Sequence, residues 1–211
     1  MLSNPLGIHS FVWVGGWDRA QCEYAVASTA AAGYDLVEVS GMQPAAIDIE
    51  HTRQTLADAG LAATVTLGLP VSGDINSEDP ERIEQGRRIL MGALDLTSGI
   101  GSDFLGGVIF GALNKYNLPT TPAARANSAA VIREVAQEAQ GRGVRIGLEF
   151  VNRYESNLLN TVQQTLDYID QVGEQNVFVH ADVYHMNIEE RNFRDPLLAC
   201  GDRLGYIHIG E

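Results

Sequence analysis

The chain has 211 residues, 45% of them hydrophobic, and a formal net charge of −13. That length and apolar content suit one sizeable core, so a single domain over residues 1–211 is expected. The charge repels nucleic-acid phosphates and anionic membranes, which leaves a small neutral solute or a metal cation as the expected partner.

In chain order, strand-like runs are expected at 7–13 (GIHSFVW), 36–40 (LVEVS), 62–68 (AATVTLG), 104–110 (FLGGVIF), 145–150 (RIGLEF), 177–182 (VFVHAD) and 204–210 (LGYIHIG). Helical signals separate them. Asp18 with Gln21 has the spacing of a capping box, and Asp79-Pro80 sets proline at a favoured first helical position. Ile132, Val135, Ala136 and Ala139 follow the helical period, and Val162, Leu166 and Ile169 do so more sparsely. Gly33, Gly60, Gly99 and Gly141 stand where helices would stop, whereas 48–59 is the weakest helical segment. Cys22 and Cys200 fall on helices and make no CxxC pair, which argues against a zinc knuckle or disulfide framework and for a reducing cytoplasm. No apolar run approaches the roughly 20 residues that span a bilayer, and the N-terminus lacks the pattern of an export signal.

Strands alternating with helices imply right-handed βαβ units and a parallel sheet. An open doubly wound sheet and a (β/α)₈ barrel both satisfy that pattern. The absence of G-x-G-x-x-G after the first strand disfavours the dinucleotide-binding version of the open sheet. The polar stretch LGLPVSGDINSEDPE reads as a rim, not a domain boundary.

Side chains alternate across a strand, so parity sorts each run into two faces. Ile146, Leu148 and Phe150 share one face and leave Glu149 on the other. Val177, Val179 and Ala181 leave Phe178, His180 and Asp182 opposite, and Ile207 with Ile209 leave Tyr206 and His208. Three successive strands thus offer an aliphatic face to a helix layer and bring Glu149, Asp182 and His208 to the other near their C-terminal ends. Strands about 4.8 Å apart would let these three share one cation. Oxygen-rich ligation with one imidazole suits Mn²⁺, Mg²⁺ or Co²⁺, with zinc still open.

LEFVNRYESN, ADVYHMNIEE and GYIHIGE, in this order and spacing, closely resemble the ketose 3-epimerases of the D-tagatose and D-allulose (D-psicose) type. Those enzymes belong to the xylose-isomerase-like sugar isomerase/epimerase barrels. The resemblance spans nearly the whole chain and is sharpest from about residue 145. It implies a (β/α)₈ TIM barrel and a divalent metal, commonly Mn²⁺, held by Glu149, Asp182, His208 and a second Glu. It further implies Glu155 and His185 as substrate-binding residues, His185 on a loop that follows the sixth strand, Glu149 as one of two acid/base groups, a free ketose as substrate, and a homodimer or homotetramer. In the family the second Glu lies on the eighth strand and an Arg lies beyond the HIGE motif. The sequence stops at Glu211 after about seven strands, so the last helix-strand-helix part, with these residues, is expected to be missing. Glu211 has the parity opposite to His208 and is a poor substitute. On this reading the chain alone gives little epimerisation, and its unclosed sheet leaves two edges open to pairing.

Other residues have plainer readings. His180 is expected as a core histidine, His9 and Trp13 as one wall of a pocket on the first strand, and Glu38 as a support for pocket residues. Residues 111–117 (GALNKYN) read as rim. His51, Arg82, Arg87 and Arg88 read as solvated surface. Competing functions are an aldose-ketose isomerase or inosose dehydratase on the same fold, an inactive fragment, and a phosphodiesterase resembling endonuclease IV. The last is disfavoured by five histidines and by the acidic charge.

Overall fold

The computed structural model describes residues 4–210; Glu211 therefore lies outside the described residues. Seven strands follow one another in chain order in one sheet: β1 (Gly7–His9), β2 (Leu36–Ser40), β3 (Ala62–Leu69), β4 (Phe104–Ala112), β5 (Arg145–Glu149), β6 (Val177–Asp182) and β7 (Leu204–His208). The pairs β1–β2, β2–β3, β5–β6 and β6–β7 are parallel. Helices α1 (Arg19–Ala31), α2 (Ile49–Ala59), α3 (Pro80–Gly99), α4 (Pro122–Gly141), α5 (Val162–Val172), α6 (Val183–Glu189) and α7 (Arg194–Cys200) lie between them in sequence. The chain divides into two compact units, one formed by the chain through Leu67 with Gly92–Leu105, the other by Gly68–Met91 and the chain from Gly106.

In the first unit the strand expected over 7–13 ends at His9. Its ring Nδ1 accepts the Phe11 N–H at 3.0 Å and starts a short 3₁₀ turn, Ser10–Val12. Trp13 is therefore off the strand and does not share its parity; its indole N–H donates instead to Thr29 Oγ1 at 3.0 Å. The capping box at Asp18 and Gln21 is present at the start of α1. Residues 49–59 are helical despite their weak pattern, because Asp48 accepts the His51 N–H and Gly60 closes the other end in the left-handed region, φ 67°. There the Gly60 and Leu61 amides turn back onto the carbonyls of Ala57 and Leu56, satisfying groups that the helix leaves open. Glu38 on β2 is buried, accepts the Thr66 hydroxyl at 2.6 Å and lies 3.6 Å from His9 Nε2.

In the second unit α4 packs against β5 and α5. Ile132, Val135, Ala136 and Ala139 are buried with Ile146 and Leu148, as their periodicities require. Val162 and Ile169 are buried on α5, but the fully buried positions between them are Thr165 and Tyr168, with Leu166 only half-buried. The Tyr168 hydroxyl meets Ser128, whose Oγ in turn donates to the Phe110 carbonyl. This arrangement removes the cost of burying a phenol without a partner. Arg133 donates to the carbonyls of Val172 and Gln171, both at 2.7 Å, and so places a cation at the C-terminal end of α5.

β5 and β7 end at Glu149 and His208, short of the expected 150 and 210. Ile207, assigned by parity to the helix-covered face, is 41% exposed. β7 closes the strand order and has a sheet neighbour on one side among the described residues. Cys22 and Cys200 are buried free thiols on α1 and α7, and no described helix is long and apolar enough to cross a membrane.

The left-handed backbone at Gly60 has open space where a Cβ would stand. Gly60→Ala should therefore cost about 1 kcal/mol from the backbone alone, without a packing defect. Urea unfolding should show the midpoint falling with the slope unchanged.

Candidate active site

Register sets the site. β5 and β6 pair so that Glu149 stands opposite His180, and β6 and β7 pair so that Asp182 stands opposite His208. A register shift between Val179 and His180 precedes the second pair. Four polar side chains thus lie side by side at the C-terminal ends of three strands.

The distances are short. His208 Nδ1 is 3.1 Å from Glu149 Oε1 and 3.5 Å from Asp182 Oδ2. His180 Nδ1 is 4.0 Å from Glu149 Oε2, and the His180 and His208 rings meet edge to face at 4.2 Å between centroids. Burial alone would raise the Glu149 carboxyl, but the His180 charge and the His208 hydrogen bond hold it below the usual carboxylate range. Burial also acts upward on Asp182, and the His208 hydrogen bond, the nearby His185 and the Tyr184 N–H outweigh it. Both groups are therefore poised as anions near neutral pH.

Among the described residues, two groupings bring potential ligand atoms within 4.8 Å of one another: Glu149, His180 and His208, and Glu149, Asp182 and His185. Glu149 is common to both. Carboxylate oxygens combined with imidazole nitrogens are a donor set that a divalent cation accepts, so these residues fit such an ion. His180 enters this cluster although its sequence reading was a core histidine; it is fully buried, and both descriptions hold for it. Its shared parity with Asp182 was the available signal.

The expected substrate residues are organised just beyond. His185, expected on a loop after the sixth strand, lies instead on a helix: Asp182 accepts the Tyr184 N–H at 2.7 Å and the His185 N–H at 3.4 Å and so caps α6. The strand passes directly into a helix whose first turn carries His185, because a carboxylate at this position satisfies the open amides. Asn152, which sequence reasoning passed over, is 1% exposed and links the expected pair. Its Nδ2 donates to Glu155 Oε1 at 2.9 Å and meets His185 Nδ1 at 3.0 Å. An Asn two residues past the expected strand end at Phe150 was its only sequence signal. Asn114, within the stretch expected as rim, reaches the same segment, since its N–H donates to the Glu155 carbonyl.

The chain segment carrying Asn152 and Glu155 is fastened to α6 by one carboxylate. Glu189 accepts the Arg153 backbone N–H at 2.7 Å, and its two oxygens also take the guanidinium Nε and Nη2. Bidentate geometry of this kind fixes orientation as well as distance.

The xylose-isomerase-like TIM-barrel family matches residues 26–211. The chain belongs to that family. It is similar to the ketose 3-epimerase of Arthrobacter globiformis, at 42% identity over 206 residues, covering 98% of this chain and 71% of the relative. The L-ribulose 3-epimerase of Methylomonas sp. is 43% identical over 205 residues, covering 97% and 72%. Among solved structures, the D-allulose 3-epimerase from Methylomonas sp. in complex with D-allulose superposes with a TM-score of 0.96 at 42% identity, over 98% of this chain and 72% of that one. With such relatives the chain is an enzyme of the epimerase/isomerase class, within the sugar isomerase/epimerase family.

The Arg153 hydrogen bonds hold the Glu189 carboxyl below the usual range. A depressed carboxyl contributes fully above its ordinary value, about 4.3, and loses that contribution as pH falls through the lower folded value. Hydrogen exchange should find the Arg153 amide protected from neutral pH to below about 4.3 and opening on further acidification, whereas Glu189→Ala should open it throughout.

Proposed function

We infer that the chain performs the metal-assisted proton chemistry of a ketose 3-epimerase acting on a free 2-ketose of the D-tagatose, D-fructose/D-allulose or L-ribulose type. The observation that carries this reading is the convergence of Glu149, Asp182 and His208 beside Glu155 and His185, in a chain whose relatives bear those epimerase names. Glu149, Asp182 and His208 are the proposed ligands of a divalent cation, Mn²⁺ foremost and Co²⁺ or Mg²⁺ next, with His180 packed against them. The same reading treats residues 1–211 as one barrel domain, cytoplasmic and homo-oligomeric.

A divalent cation held there would act as a Lewis acid toward the ketose oxygens. Glu149, ionised within its imidazole surroundings, is the group to remove the C3 proton, which the neighbouring C2 carbonyl acidifies. Glu155 and His185 hydrogen-bond the sugar and hold C3 toward that carboxylate. Inversion also requires a proton carrier on the opposite face of the sugar, a role Glu149 cannot fill from one side.

Proton removal is measurable separately from inversion. In D₂O with Mn²⁺, deuterium should enter C3 of D-fructose, D-tagatose or L-ribulose, as read by NMR. Glu149→Gln should lower that exchange by about 100-fold or more, the usual scale for a positioned base. A ketose converted only to an aldose, with label at C2 of the aldose and none at C3, would overturn the epimerase reading. Mn²⁺ titration should show Asp182→Asn losing more than the ~10–100-fold in affinity that removal of an outer hydrogen-bond partner costs.

A further inference from the structure

Asn152 lies between the two proposed substrate residues, and its amide orientation is decided by its neighbours. Its Oδ1 accepts the Tyr154 N–H at 3.0 Å, and its Nδ2 faces the Glu155 carboxylate at 2.9 Å. Reversing the amide would set an oxygen against a carboxylate and an NH₂ against a backbone N–H, so only one orientation satisfies both sides. In that orientation Nδ2 also meets His185 Nδ1 at 3.0 Å. The Asn152 backbone N–H reaches the same nitrogen at 3.3 Å.

Both atoms facing Nδ1 are donors and neither can accept. We propose that Asn152 is a positioning residue that fixes His185 as the tautomer with a bare Nδ1 and its hydrogen on Nε2. A neutral imidazole has one donor and one acceptor nitrogen, and its protein partner at one nitrogen selects the function of the other.

Two consequences follow for the site. His185 becomes a hydrogen-bond donor through Nε2, able to meet a ketose oxygen but not to offer that nitrogen's lone pair to a cation. Of the two candidate ligand groupings, the one containing His185 is thereby disfavoured, which leaves the cation to Glu149 and the residues around His208. Asn152 also acts on Glu155 through the same NH₂ group, so one buried amide sets the relative positions of a donor imidazole and an acceptor carboxylate. The ring's use on a sugar rests on the epimerase reading, whereas the tautomer itself does not.

The test is proton–nitrogen correlation NMR of the imidazole rings in the ¹⁵N-labelled, metal-free chain, with His185 assigned by the loss of its signals in His185→Gln. The expected wild-type signature is an unprotonated Nδ1 and a protonated Nε2. Asn152→Asp, which replaces the side-chain donor by an acceptor, should move the hydrogen to Nδ1; Asn152→Ala, with the backbone donor retained, should give a mixture of tautomers. A wild-type ring protonated on Nδ1 overturns the proposal, as does an Asn152→Asp variant with the wild-type signature. The wild-type measurement decides the tautomer even where a variant does not fold. Adding D-fructose, D-tagatose and L-ribulose with Mn²⁺ then separates the two claims: an Nε2-protonated ring that none of them perturbs counts against the ketose site, while a ring protonated on Nδ1 removes the tautomer proposal whatever the sugars do.

Discussion

A carboxylate can be kept ionised inside a protein only where cations or donors surround it, and the geometry around Glu149 follows from that constraint. Its partners come from neighbouring strands: His180 across the β5–β6 register and His208 one strand further on. Asp182 faces His208 across the β6–β7 register. Moving one strand by a single residue would reverse its faces, sending the polar groups outward and the aliphatic ones into the site. Packing of Ile146, Leu148, Val177 and Val179 into the core therefore fixes the polar cluster as firmly as the cluster's own contacts do.

Beyond the strand ends, positioning passes from register to hydrogen bonds. Asp182 serves twice, with Oδ2 toward His208 and Oδ1 capping α6, so the helix bearing His185 starts where the proposed ligand stands. Glu189, near the other end of that helix, grips Arg153 and fastens the segment carrying Asn152 and Glu155. Asn152 closes the circuit between Glu155 and His185. Five buried or half-buried polar residues, Asp182, His185, Glu189, Asn152 and Glu155, thus join a loop and a helix that have no strand pairing to align them. Such a network is rigid when every member has a partner, and loss of one member exposes the others to an uncompensated desolvation cost.

The histidines show how one residue type divides its work by surroundings. His208 faces two carboxylates, His180 is enclosed among aromatic rings beside one of them, and His185 faces two amide donors. His9, in the other unit, uses its Nδ1 to end a strand. Residue type and spacing do not distinguish these roles, because a ring nitrogen takes its character from the atom facing it.

By itself the sequence determined the alternation of strands and helices, the aliphatic faces of β5 and β6, the start of α1 at Asp18 and the set of polar strand-end residues, since all of these are local periodicities or local capping signals. Tertiary structure decided what depends on contacts between distant segments or on competition at an element's end. The His9 ring stopped β1 and took Trp13 off the pocket strand, Asp48 and Gly60 closed a helix that its apolar pattern only weakly marked, and Asp182 turned an expected loop into α6. His180 joined the cluster through strand register, and Asn152 acquired its partners 33 residues away in sequence at His185 and three away at Glu155. Such hydrogen bonds are directional and involve few atoms, so they leave no periodic trace in a sequence, whereas burial of an apolar face is repeated along an element and does.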